Sequence, residues 1–352
     1  MSLKTKQILK FTVITLVIAV LMYLAFRGID FDLLFEELKK TNYFYALLGA
    51  FIGVFIGGVI RAIRWRYFLD PIKKDIKFKN LFSSMMIGYM MNSIVPKSGE
   101  VSRPVVIARQ ENISRAAAFG TIIVERIFDM LSLLASFGFC LFLFREQISD
   151  TFGDDLEQYA LYSSIVIFLI VVAIVIMIMN FEKTEVFIEK YVVRFLPKKY
   201  KEKAKEIFVS LINGFLFIKY PRNYLSIFVL SVLLWLSYVL SAYVMFFAFD
   251  IKLGFLDANL LLTIITVTLV LPLPGNGAGA FHFFCTTTLV SIYGINREVA
   301  LGYATVSHLL NLLLLVGVGF YYSIKENIEL NIGAESAGKI SLAESESGKG
   351  GE

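Results

Sequence analysis

The chain is poor in the residues that build disulfide frameworks, metal centres and nucleotide sites. It has two cysteines and two histidines in 352 residues, and both cysteines, Cys140 and Cys285, fall in apolar stretches. That placement predicts packing residues rather than a disulfide or a metal site. The glycines within 275–279 are not followed by the Lys-Ser/Thr pair of a phosphate-binding loop, so no nucleotide or other cofactor is expected.

Charge is scarce as well. Charged residues make up 18% of the chain and hydrophobic residues 57%, with a mean hydropathy of +0.71, which is far more apolar than an ordinary soluble domain. Because a helix needs about 20 apolar residues to cross the bilayer core, the sequence predicts an all-α polytopic membrane protein. The predicted spans are 8–26, 43–60, 116–144, 159–180, 224–249 and 299–324. The first lacks an A-x-A cleavage site and is predicted to be a retained helix rather than a signal peptide.

Lys and Arg are distributed unevenly between the two sides of these spans. If the N-terminus is cytoplasmic, most of the 34 Lys and Arg residues lie inside, and the acidic loop 145–158 lies outside. This asymmetry follows the positive-inside rule and predicts a cell-membrane protein with cytoplasmic N- and C-termini. The net charge of +5 is then explained by attraction to anionic lipid at the cytoplasmic face, without a nucleic-acid partner.

Residues 80–111 cannot be a full crossing under this topology, because they begin and end among positive charges. They are predicted to form a re-entrant hairpin that enters from the cytoplasm and breaks at 96–99. Its second short helix is predicted to open at Ser102 and Pro104. Non-helical backbone at membrane depth must be buried in protein or line a watery cavity.

Residues 259–293 are predicted to form a second hairpin that enters from outside and breaks at 272–281. Two hairpins of opposite direction, each preceded and followed by a span, predict an inverted repeat with halves 43–144 and 224–324. The aligned residues after the hairpins are Ile113, Arg115, Ala118 and Gly120 against Ile295, Arg297, Ala300 and Gly302, then Glu125, Arg126 and Asp129 against Ser307, His308 and Asn311. The alternative is coincidence between two Leu- and Ala-rich helices.

A single membrane domain, 1–325, is therefore predicted. Within it, the Lys-rich segment 181–223 is predicted to form interfacial helices on the cytoplasmic leaflet. The stretch RAIRWRYF at 61–68 is interpreted as a basic aromatic anchor at the same surface. The Gly/Ser/Glu-rich tail 326–352 is predicted to be disordered.

Three ionisable residues, Glu125, Arg126 and Asp129, fall inside a predicted span, with the two acids on one helix face. Such residues cost at least about 2.5–3.5 kcal/mol each at a helix centre, so they should face a polar interior and pair with Arg103 or Arg109. They are either an ion-pair cluster that clamps the first hairpin or a headgroup or proton site. Cations, together with free N–H groups at the start of the second half-helix, would suit a phosphate.

The runs NSIVPKSGEVSR, VERIFDMLSL and LPLPGNGAGAFHFF give the sequence its resemblance to a known family. It resembles the flippase-like membrane family that includes the transmembrane region of lysylphosphatidylglycerol synthases and YbhN-type proteins, over roughly residues 5–325. The resemblance implies a cell-membrane protein that translocates lipids between leaflets. The positions that match its motifs are Pro96, Gly99, Glu100, Arg103, Glu125, Arg126, Asp129, Gly277, Gly279, Ala280 and Phe281. His282 stands where the third motif often closes with glutamate, so the resemblance implies no acid role at this position.

The leading hypothesis is a translocator of an anionic or polyprenyl-linked lipid, in which the headgroup crosses a polar cavity between the two hairpins. The alternatives are an intramembrane lipid-modifying enzyme that uses the carboxylates as acid and base, and a scaffold for a partner enzyme of lipid or envelope synthesis. The residues predicted to line the headgroup cavity are Asn92, Pro96, Lys97, Gly99, Glu100, Arg103, Arg109, Glu125, Arg126, Asp129, Pro274, Gly275, Gly277, Gly279, His282, His308 and Asn311.

Overall fold

The computed structural model describes residues 19–145, 220–269 and 277–326, together with isolated positions at 16, 162, 165, 169, 172, 176, 180 and 217. In these parts of the chain the regular secondary structure is entirely helical, so the predicted all-α class is confirmed. Four helices are long and apolar enough to cross a membrane: Tyr43–Leu69, Arg115–Leu143, Pro221–Ala248 and Arg297–Lys325. The predicted span at 159–180, the start of the span at 8–26, the interfacial segment before residue 220 and the tail after residue 326 lie outside the described residues, apart from the isolated positions.

Residues 19–26 are helical, and the helices that follow are α1 (Phe31–Lys40), α2 (Tyr43–Leu69), α3 (Phe78–Ile94), α4 (Gly99–Glu111), α5 (Arg115–Leu143), α6 (Tyr224–Ala248), α7 (Phe255–Leu269), α8 (Ala280–Ser291) and α9 (Arg297–Lys325). Side chains cap the starts of the two long helices that follow the hairpins: Ser114 accepts a hydrogen bond from a backbone N–H of α5, and Asn296 accepts from two of α9. These caps satisfy N–H groups that have no partner inside the helix.

Helix α2 runs well beyond the predicted end at residue 60 and contains one π-helical turn, Ile52–Ile56. Its glycines allow close contact with α6: a Cβ on Gly49 would lie 2.9 Å from the carbonyl oxygen of Ser241. The Ser241 hydroxyl also donates a hydrogen bond to the Gly49 carbonyl at 2.7 Å. The interpretation of 61–68 as a surface anchor is wrong, because these residues continue a helix that is packed into the protein.

The first hairpin consists of α3 and α4, with the helix interrupted at 95–98. The prediction that its second helix opens at Ser102 and Pro104 is wrong. Helix α4 begins at Gly99, and Pro104 lies inside it. The reason is a cap from the preceding helix, since the Asn92 side-chain oxygen accepts a hydrogen bond from the Gly99 N–H at 2.7 Å.

Gly99 is also required by the close approach of the two hairpin helices. A Cβ at this position would overlap the carbonyl oxygen of Gly88 and lie 2.7 Å from the side-chain carbon of Asn92. In the second hairpin, α7 and α8 flank residues 270–276, which lie outside the described residues. Gly277 and Gly279 have φ angles of 84° and 85°, a conformation that L side chains rarely adopt.

The two hairpins pack in a reciprocal way. The first helix of the first hairpin, α3, packs against α9, and the first helix of the second hairpin, α7, packs against α5. Helices α2 and α6 pack against each other between them. The two largest apolar cores are centred on Trp65, Phe68 and Met85 and on Phe246 and Leu289.

Candidate functional site

Six charged side chains meet where α2, α4 and α5 pack together. This group, called the charged cluster below, contains Arg61, Arg64, Arg103, Glu125, Arg126 and Asp129. The sequence placed four of these residues in one candidate site. Helix α2 supplies the two arginines that sequence reasoning missed.

Glu125 lies at the centre of the charged cluster and is fully buried. Its carboxylate accepts hydrogen bonds from Arg103 through both terminal nitrogens, at 3.1 and 2.7 Å, in a bidentate arrangement. It also accepts from Arg61 Nε at 2.6 Å and from Arg126 at 3.0 Å. One carboxylate therefore links three helices, and charge-assisted bidentate bonds of this kind fix geometry as well as adding stability.

Arg103 is held on its other side by an aromatic ring. Its guanidinium lies 3.8 Å from the centre of the Trp65 ring, and Trp65 Nε1 donates a hydrogen bond to Thr121 at 2.9 Å. Arg103 is 4% exposed. A guanidinium that is stacked and doubly bonded in this way is a fixed part of the interior.

Asp129 is the second acid and lies at the open edge of the charged cluster. Its carboxylate accepts from Arg61 and Arg64 of α2 and pairs with Arg126 at 2.9 Å. The side chains of Asp129 and Arg126 are 24% and 38% exposed, whereas those of the other cluster arginines are almost completely covered. The exposed edge is therefore formed by one cation and one anion of α5.

The charged cluster carries an excess of positive charge. Among the described residues, only Glu125 and Asp129 form ion pairs with its four arginines. Arginine stays protonated in proteins, so the net charge is at least two positive units. In addition, the Nε–H groups of Arg64, Arg103 and Arg126 are buried and have no hydrogen-bond partner in the part of the chain that the structure describes. The arrangement supplies both the charge and the donors that an anion requires.

Several predicted site residues lie apart from the charged cluster. Arg109 is exposed on α4 and does not pair with Glu125 or Asp129, the acids of the charged cluster. Lys97 and Glu100 form a partly exposed pair at 3.8 Å beside the helix break. Pro96 lies within the break itself.

The prediction that the start of α4 supplies free N–H groups to a phosphate is wrong. Its first N–H groups are already bonded: Gly99 to the Asn92 side chain, and Glu100 and Ser102 to the carbonyl oxygens of Lys97 and Ser98, at 2.7, 3.2 and 2.9 Å. The compact loop at 95–98 and the Asn92 cap use the donors that an anion would need.

The second hairpin brings the two histidines of the chain together. The rings of His282 on α8 and His308 on α9 lie 5.1 Å apart, between centroids, and Phe281 packs against both. Asn311 donates a hydrogen bond to the Ser307 carbonyl one turn earlier. Gly277 and Gly279 lie before α8, whereas Pro274 and Gly275 are outside the described residues. The described residues of this region include polar groups but no counterpart to the charged cluster.

Two comparisons with known proteins give a match. The family described as lysylphosphatidylglycerol synthase TM region matches residues 7–319. A UPF0104 membrane protein of Methanocaldococcus jannaschii is 29% identical over 244 residues, which are 66% of this chain and 70% of that protein. No solved structure matches the chain.

Proposed function

The chain belongs to the lysylphosphatidylglycerol synthase TM region family, and from that premise we propose that it moves an anionic lipid headgroup between the membrane leaflets. Family membership and the four apolar helices make it a multi-pass membrane protein of lipid metabolism. The observation that carries the proposal is the excess positive charge of the charged cluster, which belongs to two candidate spans, α2 and α5, and to the hairpin helix α4.

Uncompensated charge inside a membrane protein is expensive, so it faces a partner, a water-filled path or a substrate. Four arginines that share two acids would be stabilised by an additional anion, and the phosphate of a lipid headgroup provides one. Arg126, at the exposed edge, is the residue that such a headgroup would meet first. Glu125 and Arg103 would hold the wall of the site in place behind it.

The proposed path leads from the charged cluster to the second hairpin. There a buried ring nitrogen of His282 has no hydrogen-bond partner among the described residues, and a neutral donor or acceptor of this kind favours release of the headgroup. The reciprocal packing of α3 on α9 and α7 on α5 supports an inverted repeat with halves 43–144 and 224–324. In transporters with this design, one repeat rocks against the other around a central site.

The proposed topology places both termini in the cytoplasm of a cell-membrane protein, with the first hairpin reachable from inside and the second from outside. Single cysteines at Ser98 and Asn276, in a background without Cys140 and Cys285, are expected to react with an impermeant thiol reagent from opposite sides. The charge asymmetry of the sequence is the reason. Reaction of both from the same side would contradict both the re-entrant hairpins and the inverted repeat.

Transport is tested with the purified protein in liposomes that contain headgroup-labelled anionic lipid. An impermeant reagent destroys the label in the outer leaflet, and the rate at which protected label becomes accessible reports movement. Protein-free liposomes and the variant Arg126→Gln are the controls. Movement of an unchanged lipid in the wild type alone supports translocation. A chemically altered lipid would support an enzyme instead, and neither change would favour a scaffold.

A further inference from the structure

We infer that the anion selected by the charged cluster is a phosphomonoester, a headgroup that ends in a doubly charged phosphate. This inference rests on the proposed function and deepens it by naming the substrate class. Phosphodiester lipids such as phosphatidylglycerol carry one negative charge on the phosphate, whereas a terminal phosphate carries nearly two at neutral pH. The distinction follows from the charges of the cluster.

The charge excess fits a dianion. Four arginines and two carboxylates leave at least two positive units among the described residues. A phosphodiester would neutralise one of them and leave the second uncompensated beside the fully buried Glu125. A phosphomonoester would neutralise both, and the second unit of charge acts in surroundings where water screens it little.

The number of spare hydrogen-bond donors matches the same ligand. Arg64, Arg103 and Arg126 each keep one buried Nε–H without a partner among the described residues, and they belong to three different helices, α2, α4 and α5. A terminal phosphate offers three acceptor oxygens, whereas a phosphodiester offers two that are not esterified. In contrast, every nitrogen of Arg61 has a partner, because this residue bonds to Glu125, Asp129 and the hydroxyls of Tyr89 and Tyr238.

The chain contains its own optical reporter for this site. It has two tryptophans, Trp65 beneath the Arg103 guanidinium and Trp235 bonded to Asn259. In a Trp235→Phe background, the fluorescence of Trp65 reports binding at the charged cluster. The probes are the short-chain lipids dihexanoyl phosphatidic acid, a phosphomonoester, and dihexanoyl phosphatidylglycerol, a phosphodiester, added to detergent-solubilised full-length protein.

At pH 8, phosphatidic acid is expected to bind at least about tenfold more tightly than phosphatidylglycerol, because one more unit of charge meets the arginines. At pH 5 the monoester has taken up a proton, since its second pKa is about 6, and the affinity ratio should fall towards one. Both lipids are measured with the same protein at each pH, so an effect of protein titration on both affinities cancels in their ratio. A ratio near one at both pH values overturns the inference.

Matched variants locate the effect. Arg126→Gln removes one unit of the excess charge and should reduce the ratio at pH 8 by about tenfold. Arg109→Gln removes an exposed arginine of α4 outside the charged cluster and should leave the ratio unchanged. If both variants change the ratio equally, general surface charge explains the selectivity and the inference is overturned.

Inorganic phosphate distinguishes the two sources of a phosphomonoester. If it competes with phosphatidic acid only at much higher concentration, the site takes a lipid. If it competes equally well, the dianion site is supported but its ligand is a soluble phosphate. That result would contradict the proposed lipid translocation without contradicting the selectivity for a dianion. Conversely, liposomes in which phosphatidylglycerol moves as fast as phosphatidic acid would support translocation and overturn the phosphomonoester inference.

Discussion

In the first half of the chain, α2, α4 and α5 are joined by six charged side chains. In the second half, α6, α8 and α9 enclose an apolar core around Phe246, Leu289 and Tyr303. In the predicted register of the repeat, Ser307 and Asn311 stand where the first half has Glu125 and Asp129. The second half thus packs a long helix against a hairpin without ion pairs at these positions.

The difference in charge between the two halves helps to separate residues that the fold requires from residues that a binding site requires. Replacing a buried ion pair by well-packed apolar residues is often neutral or stabilising, so a buried pair is weak evidence for a role in stability. Since the second half packs around apolar residues, the charges of the first half need another explanation. A ligand that interacts with these charges is such an explanation. Substitutions made separately in each half should test it.

The largest expected effect is that of Glu125→Gln. This change leaves four arginines with one acid, and uncompensated buried charge of this kind costs about 3–5 kcal/mol. The counterpart Ser307→Ala removes one hydrogen bond to the Ala304 carbonyl and should cost less than about 1.5 kcal/mol. Thermal unfolding of both detergent-extracted variants measures the difference. Equal losses would mean that the two halves are held in the same way.

The next largest effect separates the interior of the charged cluster from its exposed edge. Arg103→Gln removes a stacked and bidentate guanidinium and should cost about 3 kcal/mol, less than Glu125→Gln because Glu125 keeps Arg61 and Arg126 as partners. Arg126→Gln, at the 38% exposed edge, should cost less than about 1 kcal/mol and yet abolish lipid movement. Unfolding and liposome assays on the same preparations test this.

Arg109→Gln is the control for both measurements, because Arg109 is exposed and lies outside the charged cluster. If Arg126→Gln destabilises the protein as much as Arg103→Gln, the cluster is a structural clamp throughout. The interpretation of its exposed edge as a headgroup site should then be dropped.

Local patterns predicted much of this arrangement. The spans at 116–144, 224–249 and 299–324 agree with α5, α6 and α9 to within a few residues, because long apolar runs bounded by charges specify helix length directly. The break between α3 and α4 was also predicted, from Pro96 and the charged residues around it. The helix lengths and the helix break depend only on residues that are close together in the sequence.

The arginines of α2 could not be placed from local patterns. Arg61 and Arg64 stand beside Trp65 and Arg66, a pattern that is also typical of a helix end at the membrane surface. Their acids, Glu125 and Asp129, lie more than 60 residues away in the sequence. One available signal was their i, i+3 spacing, which puts both arginines on one face of a helix that continues to Leu69.

The cap of α4 was missed for a related reason. Ser102 and Pro104 are typical of a helix start, but the group that caps this helix, the side chain of Asn92, comes from the preceding helix. Local propensity was overridden by a contact across the hairpin. The same contact uses the Gly99 N–H, one of the backbone donors that had been predicted to bind phosphate.

A smaller effect is expected from the close approach of the two hairpin helices. Gly99→Ala would place a methyl group against the backbone of Gly88, and overpacking of this kind costs about 1–3 kcal/mol. Gly138→Ala is the matched control, because a Cβ at that position in α5 meets nothing within 4 Å; helix propensity should make it neutral or slightly stabilising. Thermal unfolding distinguishes them, and a neutral Gly99→Ala would show that α3 and α4 can separate freely.

The smallest expected effect tests whether acid weakens the first half through Glu111, at the end of α4. In the predicted register its counterpart is the uncharged Tyr293. Burial disfavours the charged form of Glu111, but hydrogen bonds from Lys73, Asn80 and the Lys77 N–H outweigh it and lower the pKa of the carboxyl below its usual value. The resulting stabilisation is complete above the unfolded pKa of about 4.3 and is lost as the pH falls through the lower, folded pKa.

Because Lys73 is 40% exposed and water screens the pair, the effect should be roughly 1 kcal/mol. Thermal unfolding of wild type and Glu111→Gln between pH 6 and pH 3 measures it: the wild type should be the more stable at pH 6, and the difference should shrink as Glu111 is protonated. Glu36→Gln, on the exposed surface of α1, should leave the pH dependence unchanged. A constant difference between wild type and Glu111→Gln at every pH would mean that the contacts of Glu111 hold α4 by shape rather than by charge, and acid would then not distinguish the two halves.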